Sequence, residues 1–269
     1  MKITVKYMLR ILLLFVLLSA MFFPGNVYSQ PVVALDNWFN RETHPRTGIP
    51  YHYLWTDTEF GGYSEWGRIF KARGAEITTV EKPDRAVLKG ADVYIIVDPD
   101  STSESPSPNY ILPEDIRAIK RWVRRGGVLA IFANGGPECE FTHLNRLASK
   151  FGIRFNHVSL NPVINDNWEM GAITSLSGHP LFRGVSKIFL TEISDMNLRK
   201  GAKPVLRAGG RIVMAENNFG RGYVFAIGDP WFCNKYIDHA ILPESFENLK
   251  AAKNLTDLLL EKTGKRITE

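Results

Sequence analysis

A chain of 269 residues with 45% hydrophobic and 23% charged side chains can bury a sizeable core and is too apolar to be intrinsically disordered. Its formal net charge of +5 falls to +2 once Lys2, Lys6 and Arg10 are set aside, which argues against a basic nucleic-acid-binding surface. Two cysteines, with no Cys/His spacing of the zinc-ligating kind, exclude a disulfide-stapled scaffold and a zinc module.

Those three cations open the chain. An apolar stretch from Ile11 to Phe23 and a short polar tail through Ser29 follow. The apolar part is shorter than the roughly 20 residues of a membrane span, so residues 1–29 read as a secretory signal peptide, with an uncleaved anchor as the alternative. The expected location is therefore periplasmic or extracellular, without stable membrane insertion. Residues 30–269 suit one α/β domain.

Four apolar runs organise that domain, and each stops at a polar or acidic turn. They are Val32 to Leu35 before Asp36-Asn37, Val93 to Val97 before Asp98-Pro99-Asp100, Val128 to Ala133 before Asn134-Gly135-Gly136, and Val224 to Ile227 before Gly228-Asp229-Pro230-Trp231. Continuous apolar runs separated by helical segments predict strands buried on both faces of a parallel sheet. Ligands of open parallel sheets bind beyond the carboxyl ends of the strands, so Asp36, Asn37, Asp98, Asp100, Asn134 and Asp229 are expected around one cleft.

Between the first two runs, Tyr63, Trp66, Ile69 and Phe70 mark a helix stopping at Gly74, and Ile77 to Val80 a strand. Pro113 opens a helix that puts Ile116, Ile119, Trp122 and Val123 on one face and Lys120, Arg121, Arg124 and Arg125 largely on the other. The Ser/Pro-rich stretch from Ser101 to Pro108 is a loop leaving the Asp98 strand. Thr142 is the expected cap of a helix through Leu144, Leu147 and Phe151 that ends at Gly152. From Ile153 to Leu198 short strand-like pieces alternate with turns, an irregular excursion covering one sheet edge. Val205 to Ile227 reads as antiparallel, with turns at Gly209-Gly210 and around Gly220, and a closing helix lays Phe246, Leu249, Ala252, Leu255 and Leu259 on the sheet. The predicted architecture is a three-layer α/β sandwich: a mainly parallel sheet of the flavodoxin or glutamine-amidotransferase type with an added antiparallel hairpin.

The segment after the first run is dense in functional side chains: Asp36, Asn37, Trp38, Arg41, Glu42, His44, Arg46, Tyr51, His52, Tyr53, Trp55, Asp57 and Glu59. Rings beside carboxylates, amides and arginines suit a sugar site, since rings stack on pyranose faces while polar groups bond hydroxyls. The competing explanation is that Trp38, Tyr53 and Trp55 only pack the loop onto the domain, with His52 in a structural bond. Asp98 and Asp229 precede proline and could simply cap turns. Grouped carboxylates also suit calcium or magnesium, so a divalent cation stays open, yet no ligand spacing assigns a metal and no cofactor is expected. A hydrolase elbow would place Ser or Cys in the tight turn after a strand; the turn here is Asn134-Gly135-Gly136, without a nucleophile. Cys139 and Cys233 both follow predicted strand ends, and two free thiols are favoured over a disulfide.

The missing elbow nucleophile and the segment Gly178-His179-Pro180-Leu181-Phe182-Arg183-Gly184-Val185 resemble the class I glutamine-amidotransferase-like superfamily. More specifically, Phe39-Asn40-Arg41-Glu42, Pro50-Tyr51-His52-Tyr53-Leu54-Trp55, Tyr94 to Asp100, Trp168-Glu169-Met170-Gly171 and Gly228-Asp229-Pro230-Trp231 resemble the domain appended to unsaturated uronyl hydrolases of polysaccharide-degrading Bacteroidetes. Standing behind a signal peptide, such a domain is similar to the stand-alone oligosaccharide dehydratases of ulvan-degrading marine bacteria. That resemblance implies an exported carbon-oxygen lyase, functionally coupled to unsaturated uronyl hydrolases, that eliminates water across C4 and C5 of a terminal glucuronate or iduronate on a sulfated rhamnose-uronate oligosaccharide. Such chemistry needs a base for the C5 proton, a partner for the carboxylate and an acid for the departing hydroxyl.

Under this reading Arg41, then Arg46, would pair with the carboxylate. His52 or Tyr53 would act as base, Asp57, Glu169 or Asp229 would hold hydroxyls or give the proton, and Lys235 and Tyr236 are second choices. Asn37, Trp38, Trp55, Asp98, Asn134 and Trp231 complete the expected substrate-binding set. The alternative role is a non-catalytic carbohydrate-binding accessory domain.

Overall fold

The computed structural model describes residues 29–44, 46–237 and 241–265, so the expected signal peptide lies almost wholly outside the described residues. Among the described residues no helix is long and apolar enough to cross a membrane. In chain order the first half carries β1 (Val32–Asp36), α1 (Ser64–Ala72), β2 (Glu76–Val80), α2 (Arg85–Lys89), β3 (Val93–Val97), α3 (Pro113–Arg124), β4 (Val128–Phe132) and α4 (Phe141–Ala148). The second half carries β5 (Ile153–Phe155), β6 (Ala172–Ile173), β7 (Ile188–Phe189), β8 (Met196–Leu198), β9 (Lys203–Ala208), β10 (Arg211–Phe219), β11 (Gly222–Ile227) and α5 (Asn248–Glu261).

Nine strands form one sheet in the order β2-β1-β3-β4-β11-β10-β8-β5, with β9 also paired to β10, and β6 and β7 make a separate two-stranded ribbon. The five strands from β2 to β11 are parallel, whereas β10 and everything beyond it pair antiparallel. The predicted three-layer α/β architecture is the one observed. The apolar runs alternate between its two faces as pleating requires. Val93, Ile95, Val97, Val128, Ala130 and Phe132 pack with Trp66 and Phe70 of α1 and with Leu255 and Leu259 of α5. Tyr94, Ile96, Leu129 and Ile131 meet Leu88 of α2, Ile119 and Val123 of α3, and Leu144 and Leu147 of α4.

Three local expectations need correction. The cap of α4 is Glu140, whose carboxylate accepts from the N–H groups of Thr142 and His143, so the helix begins one residue before Thr142. A long acidic side chain there satisfies two end donors as a shorter cap would. Phe246 precedes α5 and packs with Phe189, Tyr236 and Leu242 in a small separate cluster, away from the main sheet. The stretch from Ile153 to Leu198 does more than cover an edge, because β5 and β8 extend the sheet. Cys139 and Cys233 are buried free thiols in the two clusters on opposite faces of the sheet.

Candidate functional site

In a sheet ordered 2-1-3-4, chain connections leave β1 and β3 in opposite directions, which opens a crevice at their carboxyl ends. A cavity of about 400 Å³ lies there, lined by Glu42, Thr43, Tyr51, His52, Tyr53, Asp98, Ser103, Glu104, Asn134, Glu138 and Trp231. Asp98 comes from the end of β3 and Asn134 from just beyond β4, while the long segment after β1 supplies the wall from Glu42 to Tyr53. Ser103 and Glu104 come from the Ser/Pro-rich loop.

Three of these residues hold strained backbone. His52, Tyr53 and Asp98 have φ of 64°, 51° and 40°, in the left-handed region that costs about 1–3 kcal/mol for a side-chain-bearing residue. The surrounding bonds hold them there: the His52 N–H donates to Asp57 Oδ2 at 3.0 Å and the Tyr53 N–H to the Gly61 carbonyl at 3.0 Å. Gly61 also leaves room for the imidazole, since a Cβ there would sit 2.5 Å from His52 Cδ2.

At the cavity floor Asp98 is 1% exposed. Its Oδ2 accepts from the Tyr53 hydroxyl at 3.1 Å and from Asn134 Nδ2 at 2.8 Å, whereas Oδ1 is buried without a hydrogen-bond partner. Burial holds this carboxyl well above the usual carboxylate range, with repulsion from Glu42 adding to the effect. Because Oδ2 already accepts twice, Oδ1 is the oxygen left free to carry a proton when Asp98 is protonated. Burial also pushes Glu104 up to about 9, and mutual repulsion with Asp98 disfavours ionising both acids at once. In the same lining Glu42 Oε1 lies 3.2 Å from His52 Nδ1. Because an ionised carboxylate only accepts, this contact puts the hydrogen on Nδ1 and leaves Nε2 as the basic nitrogen. The site thus combines an oriented imidazole with two carboxyls biased toward their protonated forms, and its lining includes no lysine or arginine.

The raised value of Glu104 has a measurable consequence. As pH climbs from 4.5 to about 9 the unfolded chain gives up this proton while the folded chain keeps it, so the native state loses stability across that window. Glu104→Gln removes the effect. Its gain in melting temperature over the wild type is expected to be larger at about pH 8 than at about pH 5, and calorimetry at the two values checks this.

Of the residues singled out in the sequence, the structure brings His52, Tyr53, Asp98, Asn134 and Trp231 to this cavity. It places others elsewhere. Arg41 pairs with Glu81 at 3.6 Å and lies over the Trp38 ring, and Asn37 donates to the same Glu81 at 2.9 Å. Arg46 is exposed in a turn, and Trp38 packs on the α2–α4 side of the sheet. Trp55 donates to the Thr78 carbonyl at 2.9 Å and packs against Trp66 and Phe70, and Asp57 accepts from the backbone of His52 and Glu59. Glu169 is bound to Lys187 at 2.6 Å on the surface. Tyr236 lines a neighbouring cavity, and the side chain of Lys235 lies outside the described part of the chain.

Asp36 and Asp229, expected at the cleft, lie beneath it. Asp36 bonds the Tyr94 hydroxyl at 2.5 Å and the Phe39 N–H at 2.7 Å, and burial raises it to about 6. Asp229 is fully buried, raised by burial to about 7, and accepts from the N–H groups of Thr191 and Trp231, both at 2.8 Å. Asp229 is therefore a turn cap that supports the wall and does not line the cavity.

Glu104 and Glu138 went unnoticed in the sequence, and Glu42 and Tyr51 appeared only as members of a dense segment. Position was the available signal for Glu104, since it sits in the loop that leaves the carboxyl end of β3. Among the described residues no three histidine, cysteine or acidic side chains are grouped so as to hold a metal ion. Neither glycine of the turn after β4 has space for a nucleophilic side chain, because a Cβ on Gly135 would collide with the Glu192 carbonyl oxygen and one on Gly136 with the His157 ring.

No protein-family model and no curated protein matches the sequence. Solved structures do share the fold. The N-terminal domain of mmIFT52 superimposes with a TM-score of 0.64 at 14% identity, covering 85% of this chain and 97% of that domain. A β-galactosidase from Rahnella sp. R3 matches with a TM-score of 0.53 at 14% identity, over 87% of this chain but 31% of the galactosidase. A cytoplasmic protein, STM1381 from Salmonella typhimurium LT2, gives 0.50 at 13% identity, over 79% of this chain and 99% of its own. At such identities the likeness is one of architecture.

Proposed function

We propose that the protein is an exported oligosaccharide dehydratase that removes water across C4 and C5 of a terminal uronate, as in ulvan-type sulfated rhamnose-uronate chains, to leave an unsaturated uronate for a downstream unsaturated uronyl hydrolase. The observation that supports this reading is that one cavity is lined by the Glu42-oriented imidazole of His52 and by the carboxyls of Asp98 and Glu104, which burial biases toward protonation. Abstracting a proton next to a carboxylate builds negative charge on that carboxylate, and neutral acids that donate hydrogen bonds stabilise such an enolate without repelling it beforehand. The carboxylate partner is then Asp98 in place of the arginines, which lie outside the cavity, and Glu104 is left free to act on the departing hydroxyl.

His52 Nε2 takes the C5 proton, and the electron pair left on carbon becomes the C4–C5 double bond as the C4–O bond breaks. Glu104 gives its proton to the departing hydroxyl, which leaves as water. Tyr53 and Asn134 keep Asp98 oriented through Oδ2. Tyr51 and Trp231 offer ring faces to the sugar.

Incubation with a glucuronate-ended oligosaccharide is expected to produce ultraviolet absorbance at roughly 235 nm from the conjugated alkene, together with a product lighter by one water. A flat absorbance and an unchanged mass, accompanied by a raised melting temperature of the protein, would instead identify a binding accessory domain. Since the acid must be protonated, the rate is expected to decline as pH rises through about 9, where Glu104 ionises.

A further inference from the structure

A second cavity, of about 210 Å³, adjoins the first and is lined by Phe60, Val163, Asp166, Trp168, Thr191, Glu192, Trp231 and Tyr236. Trp231 is the shared wall. On one side its ring lies 6.0 Å from His52 and 6.2 Å from Tyr53, and on the other 5.5 Å from Phe60 and 6.2 Å from Tyr236. Trp168 continues the strip, 5.9 Å from Tyr236. The indole N–H of Trp231 is buried without an acceptor, an expensive state for a donor.

Of the eight non-glycine residues with positive φ among the described residues, three line the first cavity and two more, Asp166 and Glu192, line the second. Both chambers thus set aromatic faces beside carboxylates on strained backbone. Phe60 is 40% exposed at the rim, more than a large ring merely filling the core would be.

We infer that the second cavity is a binding subsite for the sugar next to the terminal one, so that the protein recognises at least two consecutive pyranose units, with Trp231 between them. This rests on the proposed carbohydrate reading and adds to it the minimum length of the ligand. The volume is below the roughly 300 Å³ typical of drug-sized pockets, which fits a single ring and not an extended chain. Phe60, Trp168 and Tyr236 supply apolar faces for its C–H surface, while Glu192, Asp166 and Thr191 accept or donate to its hydroxyls.

Isothermal titration with methyl glucuronide and with a glucuronate-ended disaccharide tests the inference without requiring turnover. The wild type is expected to bind the disaccharide about tenfold more tightly, and Phe60→Ala to abolish most of that advantage while leaving the affinity for methyl glucuronide unchanged, since one aromatic contact is worth about 1.4 kcal/mol or tenfold. Trp168→Phe, which keeps an aromatic face, is expected to retain the advantage. Equal affinities of the wild type for the two probes, no binding of either, or a Phe60→Ala loss equal for both would overturn it. Length-dependent binding without any elimination would uphold the subsite and refute the dehydratase reaction, so the two failures are distinguishable.

Discussion

His52→Asn is expected to lower the rate of uronate elimination by about 10²- to 10⁴-fold, the usual contribution of a positioned general base. Asparagine is the informative replacement because His52 sits at φ 64°, a conformation that asparagine tolerates and alanine does not. The imidazole goes while the backbone turn, held by Asp57 and Gly61, can stay. Affinity for a glucuronate-ended oligosaccharide should therefore remain within a few-fold of the wild type, and thermal stability should change little. If His52 only packs against Gly61 and Tyr51, the variant would lose melting temperature and keep its turnover. Steady-state kinetics and calorimetry on the same preparation separate the two outcomes.

The largest expected effect on stability is at Trp66. Its ring is fully buried between the sheet and α5, 5.3 Å from Phe132 and 5.0 Å from Phe70, and its Nε1 donates to the Thr256 hydroxyl at 2.9 Å. Trp66→Ala empties that space and deprives the Thr256 hydroxyl of its donor, at a cost of about 3–5 kcal/mol. For a domain of this size each kcal/mol moves the midpoint by roughly 2–4 °C, so the melting temperature should drop by about 6–20 °C. Thermal denaturation followed by circular dichroism measures it. Trp66→Phe, which retains most of the packing and loses only the hydrogen bond, should fall by a small fraction of that amount.

Much of the sheet was legible because β1, β3, β4 and β11 are buried on both faces, and burial on both faces writes itself as an unbroken apolar run. Tyr63, Trp66 and Phe70 likewise announced α1 by spacing, and Pro113 announced the start of α3. The crevice was legible only in part. Asp98 and Asn134 stand where strand ends predict, yet Asp36 and Asp229 occupy equivalent sequence positions and turn inward to bond backbone N–H groups. Nothing in the local sequence distinguishes an acidic residue that caps a turn from one that faces a cavity, because the difference lies in where the neighbouring loop passes. Arg41 illustrates the same limit: a cation among aromatic residues suggested carboxylate recognition, and Glu81, some forty positions away in sequence, draws it off. Glu104 was hidden by its Ser/Pro-rich surroundings, which read as plain loop until the fold brought them beside Asp98.

The crowding at Gly135 and Gly136 bears on what this scaffold can evolve into. Installing a serine or cysteine at either glycine would push a side chain into the Glu192 carbonyl or the His157 ring before it could reach any substrate. A serine or cysteine elbow at either glycine is thereby closed to a single substitution, so a covalent route on this scaffold would have to start from a side chain that already lines the cavity.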